Sequence, residues 1–206
     1  MTPAEFATAA NVSRETLDRL EAMDRVLIDW TGRHNLIAKS TIPDRWSRHY
    51  LDSAQIASLL PKQVETIADL GSGAGFPGLI LAAIFAPQKT QVTLIESTGK
   101  KAAFLREAAS AMQLETVKVI PERIEVVKLS PKPQIVTARA LARLDKLLGY
   151  AHEIGNKNTK YFFPKGQDVE EELTQAAKSW HMSVKRHSSR TSADGVIVEI
   201  GNLSIA

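Results

Sequence analysis

The sequence predicts an α/β fold: a mostly parallel seven-stranded sheet with helices on both faces, preceded by an N-terminal helical extension. Three observations carry this. The first 60 or so residues have helical apolar spacing, with no strand-like alternation. After Pro61 strands and helices alternate, which implies parallel pairing covered on both sides. Between the first strand and its helix lies DLGSGAGFPGLIL, Asp69 to Leu81, a loop almost without side chains.

In SRETLDRLEAMDRVLIDW, residues 13–30, Leu17, Leu20, Met23, Leu27 and Trp30 share one helical face; Ser13 is placed to cap it and Glu15 suits its first turn. A basic loop, residues 31–44, and a second helix over about 45–60 follow, ending at Pro61. Then VETIADLG reads as a strand and FPGLILAAIFA as a helix with Pro77 near its first turn, where a missing N–H does no harm. QVTLIES is a strand, GKKAAFLREAASAMQL a helix, VKVIPER and QIVTARA strands, LDKLLGYAHEI a helix, KYFFPKG a strand and DVEEELTQAAKSW a helix. HMSVKRHSS and GVIVEIGNL close the sheet as an antiparallel pair. Residues 1–60 are therefore expected to pack as a helical segment on a 61–206 ligand-binding domain.

Composition removes several classes of function. The 206 residues are 44% hydrophobic and 24% charged, ordinary for a globular chain. No apolar run approaches the ~18 residues of a membrane span, and the N-terminus lacks a basic start followed by an apolar stretch, so neither membrane nor export is expected. The absence of cysteine excludes disulfides, thiolate metal sites and a cysteine nucleophile. The expectation is a cytoplasmic monomer without metal. The net charge of +3 is mild. Its distribution is uneven: Arg33, His34, Lys39, Arg45, Arg48 and His49 face one acid, Asp44, and further clusters are Arg139–Arg143–Lys146 and Lys185–Arg186–His187–Arg190. Clusters of this kind suit a phosphate-rich partner.

A strand, a glycine loop and a helix make a nucleotide-cofactor site: bare backbone approaches the ligand, and free N–H groups at the helix start point toward it. The dinucleotide pattern G-x-G-x-x-G, counted from Gly71, needs Gly or Ala at position 76, where this chain has Phe76. The pattern present is Asp69-x-Gly71-x-Gly73-x-Gly75, which resembles the first motif of class I S-adenosylmethionine-dependent methyltransferases. That likeness implies a loop wrapped around the amino-acid end of the cofactor, with Asp69 holding the loop or the cofactor's amine. Glu96, ending the next strand, is placed to accept from both ribose hydroxyls. Ile124 and Glu125, after the third strand, suit the adenine ring and its edge.

The atom methylated is approached by elimination. Pyrimidine carbon-5 usually needs a cysteine, and exocyclic amines an Asn/Asp-Pro-Pro-Tyr/Phe tetrapeptide; the chain has neither. A ring nitrogen such as guanine N7 carries a lone pair and no proton, so it needs no general base. Oxygen and protein targets survive this step.

Four stretches together resemble the bacterial 16S rRNA (guanine-N7) methyltransferase G family, also called glucose-inhibited division protein B. They are NLIAKS with RHYLDS, DLGSGAGFPGL, ESTGKKAAFL, and VTARALARL with the later PKGQ. The likeness runs over nearly the whole chain, departing at Glu96, where aspartate is commoner, and Lys101, where arginine is. It implies a class I, Rossmann-like enzyme that uses S-adenosylmethionine to methylate N7 of one guanine in 16S rRNA of the small subunit, near the decoding region. Gly71, Phe76, Ile124, Glu125 and Arg139 match the family's cofactor-site positions. Arg139 follows the fourth strand, where class I enzymes keep substrate-side residues, and is the expected catalytic residue, holding the methionine carboxylate or the RNA. The RNA-binding candidates are Arg33, His34, Lys39, Arg48, Arg143 and Lys165. A methyltransferase of small molecules shares every cofactor residue, and an RNA-binding assembly factor without activity would keep the fold. An NAD oxidoreductase is opposed by Phe76 and by the lack of a Tyr-x-x-x-Lys pair.

Overall fold

The computed structural model describes residues 1–206. Helix α1, Pro3–Ala10, starts with a reciprocal capping box between Thr2 and Glu5. Its signal, TPAE, lies in the stretch that apolar spacing marks only as broadly helical. Helix α2 runs Arg14–His34, capped by Ser13, whose side chain accepts from the Thr16 N–H, and closed by Asn35 at φ 49°. It is a turn longer than the apolar spacing suggests, because Thr31 is buried and continues the packed face. Arg33 and His34 are thus on a helix and not in the basic loop. The expected regular helix over 45–60 is a mixed segment: a π-helical turn Trp46–Leu51, α3 Asp52–Ala54 and a 3-10 turn Gln55–Leu59. Trp46, Tyr50 and Leu51 are all buried in the π-helical turn.

The sheet comprises β1 Thr66–Leu70, β2 Gln91–Ile95, β3 Val117–Ile120, β4 Ile135–Thr137, β5 Lys160–Lys165, β6 Trp180–Ser188 and β7 Val196–Ile205. Its order is β3-β2-β1-β4-β5-β7-β6. β1 to β5 pair in parallel and β6 with β7 antiparallel, as the sequence pattern predicts, and β7 also joins β5 antiparallel. The connecting helices are α4 Gly78–Phe85, α5 Gly99–Ala111, α6 Leu144–Ile154 and α7 Val169–Ala176. The last ends earlier than expected, since Trp180 already belongs to β6.

Strand alternation splits the core. Ile67 faces one apolar cluster, with α4, α5 and the N-terminal helices, whereas Ala68 and Leu70 face the other, with α6 and α7. The N-terminal segment has no core of its own. Phe6, Trp46, Tyr50 and Phe76 form an aromatic line, with centroids 5.3 Å, 4.2 Å and 5.2 Å apart, from α1 to the glycine loop. Arg45 clamps Asp24 of α2 through Nε and Nη2 at 2.7 and 2.8 Å. The segment is thereby fixed beside the carboxyl ends of β1 and β4.

Candidate active site

The glycine loop turns sharply after β1. Gly71, Gly73 and Gly75 have φ of 65°, 53° and 85°, the left-handed region that side chains disfavour. Gly75 is constrained from inside as well, because a Cβ there would stand 2.6 Å from Leu79 Cδ1. At Gly73 the nearest atom to such a Cβ is 3.7 Å away, so that backbone is bare on its outer side. The loop is anchored to β2 by the Ser72 N–H donating to the Ile95 carbonyl at 3.0 Å.

Asp69 lies beneath this loop, fully buried. It is the register partner of Thr137 on β4, and Oδ1 accepts the Thr137 hydroxyl at 2.8 Å. Burial pushes its carboxyl up to about 6, against the Thr137 hydrogen bond, the nearby Ser72 and Gly78 donors and the charge of Arg139. Oδ2 is buried without a hydrogen-bond partner. Of the two roles expected for Asp69, this placement suits holding the loop.

Two cavities flank the loop after β4. The smaller, about 290 Å³, is lined by Gly71, Glu96, Ile124 and Glu125, together with Tyr150 and Lys101. These come from the carboxyl ends of β1, β2 and β3, with Tyr150 from α6 and Lys101 from α5. Glu96 Oε2 accepts the Gly73 N–H at 3.0 Å and Oε1 the Thr98 N–H at 2.7 Å, so the residue braces the loop and the start of α5. A carboxylate has about four acceptor sites, which leaves capacity for two ribose hydroxyls. Tyr150 donates to Glu125 Oε1 at 3.3 Å, closing the far wall. Bare loop, carboxylate and apolar Ile124 side chain suit a nucleoside with an amino-acid tail. Phe76, expected here, does not line this cavity. It is buried on the other side, stacked on His49 with centroids 5.2 Å apart.

The larger cavity, about 550 Å³, is lined by Asp52, Arg139, Arg143, Lys165, Glu172 and residues of the β6–β7 turn. Ala140 and Leu141 line both cavities and form the wall between them. Arg139 is held from several sides. Its Nη1 donates to the Arg48 carbonyl at 3.2 Å and to Asp52 Oδ2 at 3.1 Å, and its Nη2 donates to His49 Nδ1 at 3.0 Å. Its Cζ lies 5.2 Å from the Phe76 centroid. A guanidinium only donates, so His49 Nδ1 carries the lone pair and Nε2–H donates to Thr41 Oγ1 at 2.9 Å. Burial first, then Arg139, lowers His49 to about 4, so the imidazole is neutral.

The remaining basic candidates separate. Lys165 Nζ donates to the Ala142 carbonyl at 2.9 Å and to Glu172 Oε2 at 2.7 Å, and is committed to the fold more than to a phosphate. Arg143, exposed at the cavity, pairs with Glu171. Arg48 and Lys39 are exposed, Arg48 beside the cavity through its carbonyl. Arg33 pairs with Asp29 and lies over Trp30, whose indole donates to Glu107 of α5. His34 packs on the same indole. These two belong to the α2–α5 flank. In the last cluster, Arg186 pairs with Glu170, and Lys185 and His187 with Glu199. Asp52 and Glu172 were not foreseen as site residues. Asp52 lay within the quoted RHYLDS, while Glu172, in a run of three glutamates, carried no sequence signal. No group of three or more His, Asp or Glu side chains converges as a metal site needs, and no helix is long and apolar enough to cross a membrane.

A seven-stranded sheet of this order with a glycine loop after β1 and an acid after β2 defines the class I S-adenosylmethionine-dependent methyltransferase fold. Solved structures agree. A mutant of MtNAS in complex with S-adenosylmethionine superposes with TM-score 0.60 at 13% identity, covering 91% of this chain and 77% of that one. A ribosomal protein L11 methylase from Lactobacillus delbrueckii subsp. bulgaricus gives 0.57 at 16% identity, covering 74% and 76%. Within that class the chain belongs to the rRNA small subunit methyltransferase G (GidB) family, whose model matches residues 16–199. It is 45% identical to the ribosomal RNA small subunit methyltransferase G of Rhodospirillum rubrum, over 98% of both chains. It is 44% identical to the protein of the same name from Paramagnetospirillum magneticum, over 99% of this chain and 97% of the other.

Proposed function

We propose that this protein is an S-adenosylmethionine-dependent methyltransferase that transfers a methyl group to N7 of one guanine in 16S rRNA of the small ribosomal subunit, acting as a cytoplasmic monomer without a metal. The observation that carries this reading is the shared Ala140–Leu141 wall: a cavity lined by Gly71, Glu96 and Ile124 abuts a cavity edged by three cations, Arg139, Arg143 and Lys165. Family membership supports the substrate.

When bound, S-adenosylmethionine supplies an electrophilic methyl group on its sulfonium. Glu96 would accept from the ribose hydroxyls, Ile124 would pack on the adenine, Glu125 would read its edge, and the loop from Gly71 to Gly75 would receive the amino-acid end. Arg139, locked by Asp52, His49 and Phe76, orients the target at the wall. No proton has to leave N7 before attack. The neighbouring imidazole is unsuited to base catalysis, since Arg139 occupies its Nδ1 lone pair and Thr41 its Nε2–H. Arg48 and Arg143, both exposed near the cavity, meet phosphates of the RNA.

The test is methyl transfer from radiolabelled S-adenosylmethionine to small-subunit particles from a strain lacking the enzyme, with the product nucleoside identified by mass. Label in N7-methylguanosine at one position is expected. No incorporation from protein that still binds cofactor points to a small-molecule substrate. Calorimetric binding that Gly73→Arg abolishes separates an enzyme from an assembly factor that keeps the fold alone.

A further inference from the structure

We propose, building on the reading of this chain as a guanine methyltransferase, that the larger cavity receives the target base and that Glu172 selects guanine by accepting from its N1–H and 2-amino group. Glu172 sits on α7 with its side chain 14% exposed, beside Lys165 at 10%. Its Oε2 accepts from two rigid donors, Lys165 Nζ at 2.7 Å and the Leu144 N–H at 2.6 Å. These fix the plane of the carboxylate. Oε1 accepts from none of the protein's hydrogen-bond donors and is not among the sealed polar atoms without a partner. Since Glu172 lines the cavity, Oε1 is the oxygen available to a ligand there.

The other carboxylate of the cavity has both oxygens engaged. Asp52 Oδ1 accepts from Thr191 at 2.7 Å and Gln55 at 2.9 Å, and Oδ2 accepts from Arg139. Glu172 is thus the carboxylate of the cavity with a wholly unpartnered oxygen, beside Arg139, Arg143 and Lys165, which only donate.

Guanine has two adjacent donors, N1–H and the 2-amino group, on its Watson–Crick edge, while N7 lies on the opposite, Hoogsteen edge. A base gripped by Glu172 at the first edge therefore turns N7 away from α7. Ala140 and Leu141, the wall shared with the nucleoside cavity, border the same space. Adenine would set the N1 lone pair against the carboxylate. The grip also requires an unpaired base, because pairing occupies the same edge.

Glu172→Gln tests this while preserving the fold contacts. Lys165 and the Leu144 N–H can only donate, so the introduced amide oxygen must take the Oε2 position. The NH2 then replaces Oε1, and the cavity-side group changes from acceptor to donor. We expect kcat/KM on the particles to fall about 100-fold, with cofactor affinity and melting temperature close to wild type. A residue that merely held Lys165 and α6 would lose turnover as Gln only in step with lost stability, so near-normal turnover in Glu172→Gln overturns the proposal. Should the variant lose cofactor binding or stability, wild-type enzyme on particles carrying inosine at the target decides. Removing the 2-amino group should lower kcat/KM about 10-fold, and an unchanged rate overturns the proposal. Wild-type enzyme that leaves guanine unmethylated would instead refute the function on which the proposal rests.

Discussion

Arg139 and Asp52, 87 residues apart in the chain, form a half-buried ion pair at 3.1 Å with side chains 18% and 20% exposed. The pair joins the end of the central strand to the N-terminal helical segment. Asp52 is itself held by Thr191 of the β6–β7 turn, so three separate parts of the chain converge on one guanidinium. Removing either partner leaves the other charge uncompensated. Arg139→Ala is expected to lower turnover about 100-fold, and Asp52→Asn, which keeps an oxygen acceptor, only several-fold. Single-turnover rates on the subunit check this; near-normal turnover in Arg139→Ala would return it to a packing role.

Glu96 braces the glycine loop and faces the nucleoside cavity. Glu96→Ala should weaken cofactor binding by about 10- to 100-fold, measured by calorimetry, and should speed hydrogen exchange at the Gly73 amide. Unchanged affinity with faster exchange would leave Glu96 a loop brace alone.

His49 and Asp69 give opposite pH signatures. The folded pKa of His49, about 4, lies below its usual 6.5. Its contribution to stability is therefore complete above pH 6.5 and is lost as pH falls toward 4. Asp69, raised from 3.8 to about 6, contributes stability present below 3.8 and lost as pH rises through 6. The two overlap between pH 4 and 6, so wild-type melting temperatures understate each. The difference curve against His49→Asn, whose amide oxygen can still accept from Arg139, should isolate a slope falling toward acid. A flat difference would mean that folding leaves the pKa of His49 unshifted, and a slope of opposite sign that the fold holds it charged.

The basic candidates are expected to divide as their positions do. Arg48→Glu should weaken RNA binding and lower the slope of log affinity against log salt by about 1. Arg33→Glu, on the α2–α5 flank, should change binding much less. Filter binding over a salt series distinguishes them, and an equal loss in both would extend the RNA footprint along α2.

Gly75→Ala should cost about 1–3 kcal/mol of stability, since φ is 85° and the new Cβ meets Leu79. Urea melts measure this. A smaller loss would show that the loop re-routes.

How much was legible in the sequence differs by residue. Local rules reach α2, because its apolar stripe, Ser13 cap and first-turn acid act within a few residues of one another. They reach the strand–glycine–helix unit for the same reason, and with it Gly71 and Glu96 as cavity residues. They fail at the mixed helical turns of Trp46–Leu59, whose irregular pitch answers to aromatic packing from α1 and the loop. They fail also for Phe76 and Lys165, whose partners His49 and Glu172 are chosen by the fold and not by spacing.

By itself, then, the sequence determined the alternation of strands and helices, the antiparallel closing pair and the backbone of the cofactor loop, since periodicity, capping and glycine conformations are properties of neighbours along the chain. Only the tertiary structure decided which charges are free and which are spent. Asp52 is tied to Arg139, Lys165 is taken by Glu172, and one oxygen of Glu172 is left over. Those outcomes depend on distances of a few ångströms between residues far apart in sequence, where hydrogen-bond capacity is shared out only once the chain has packed.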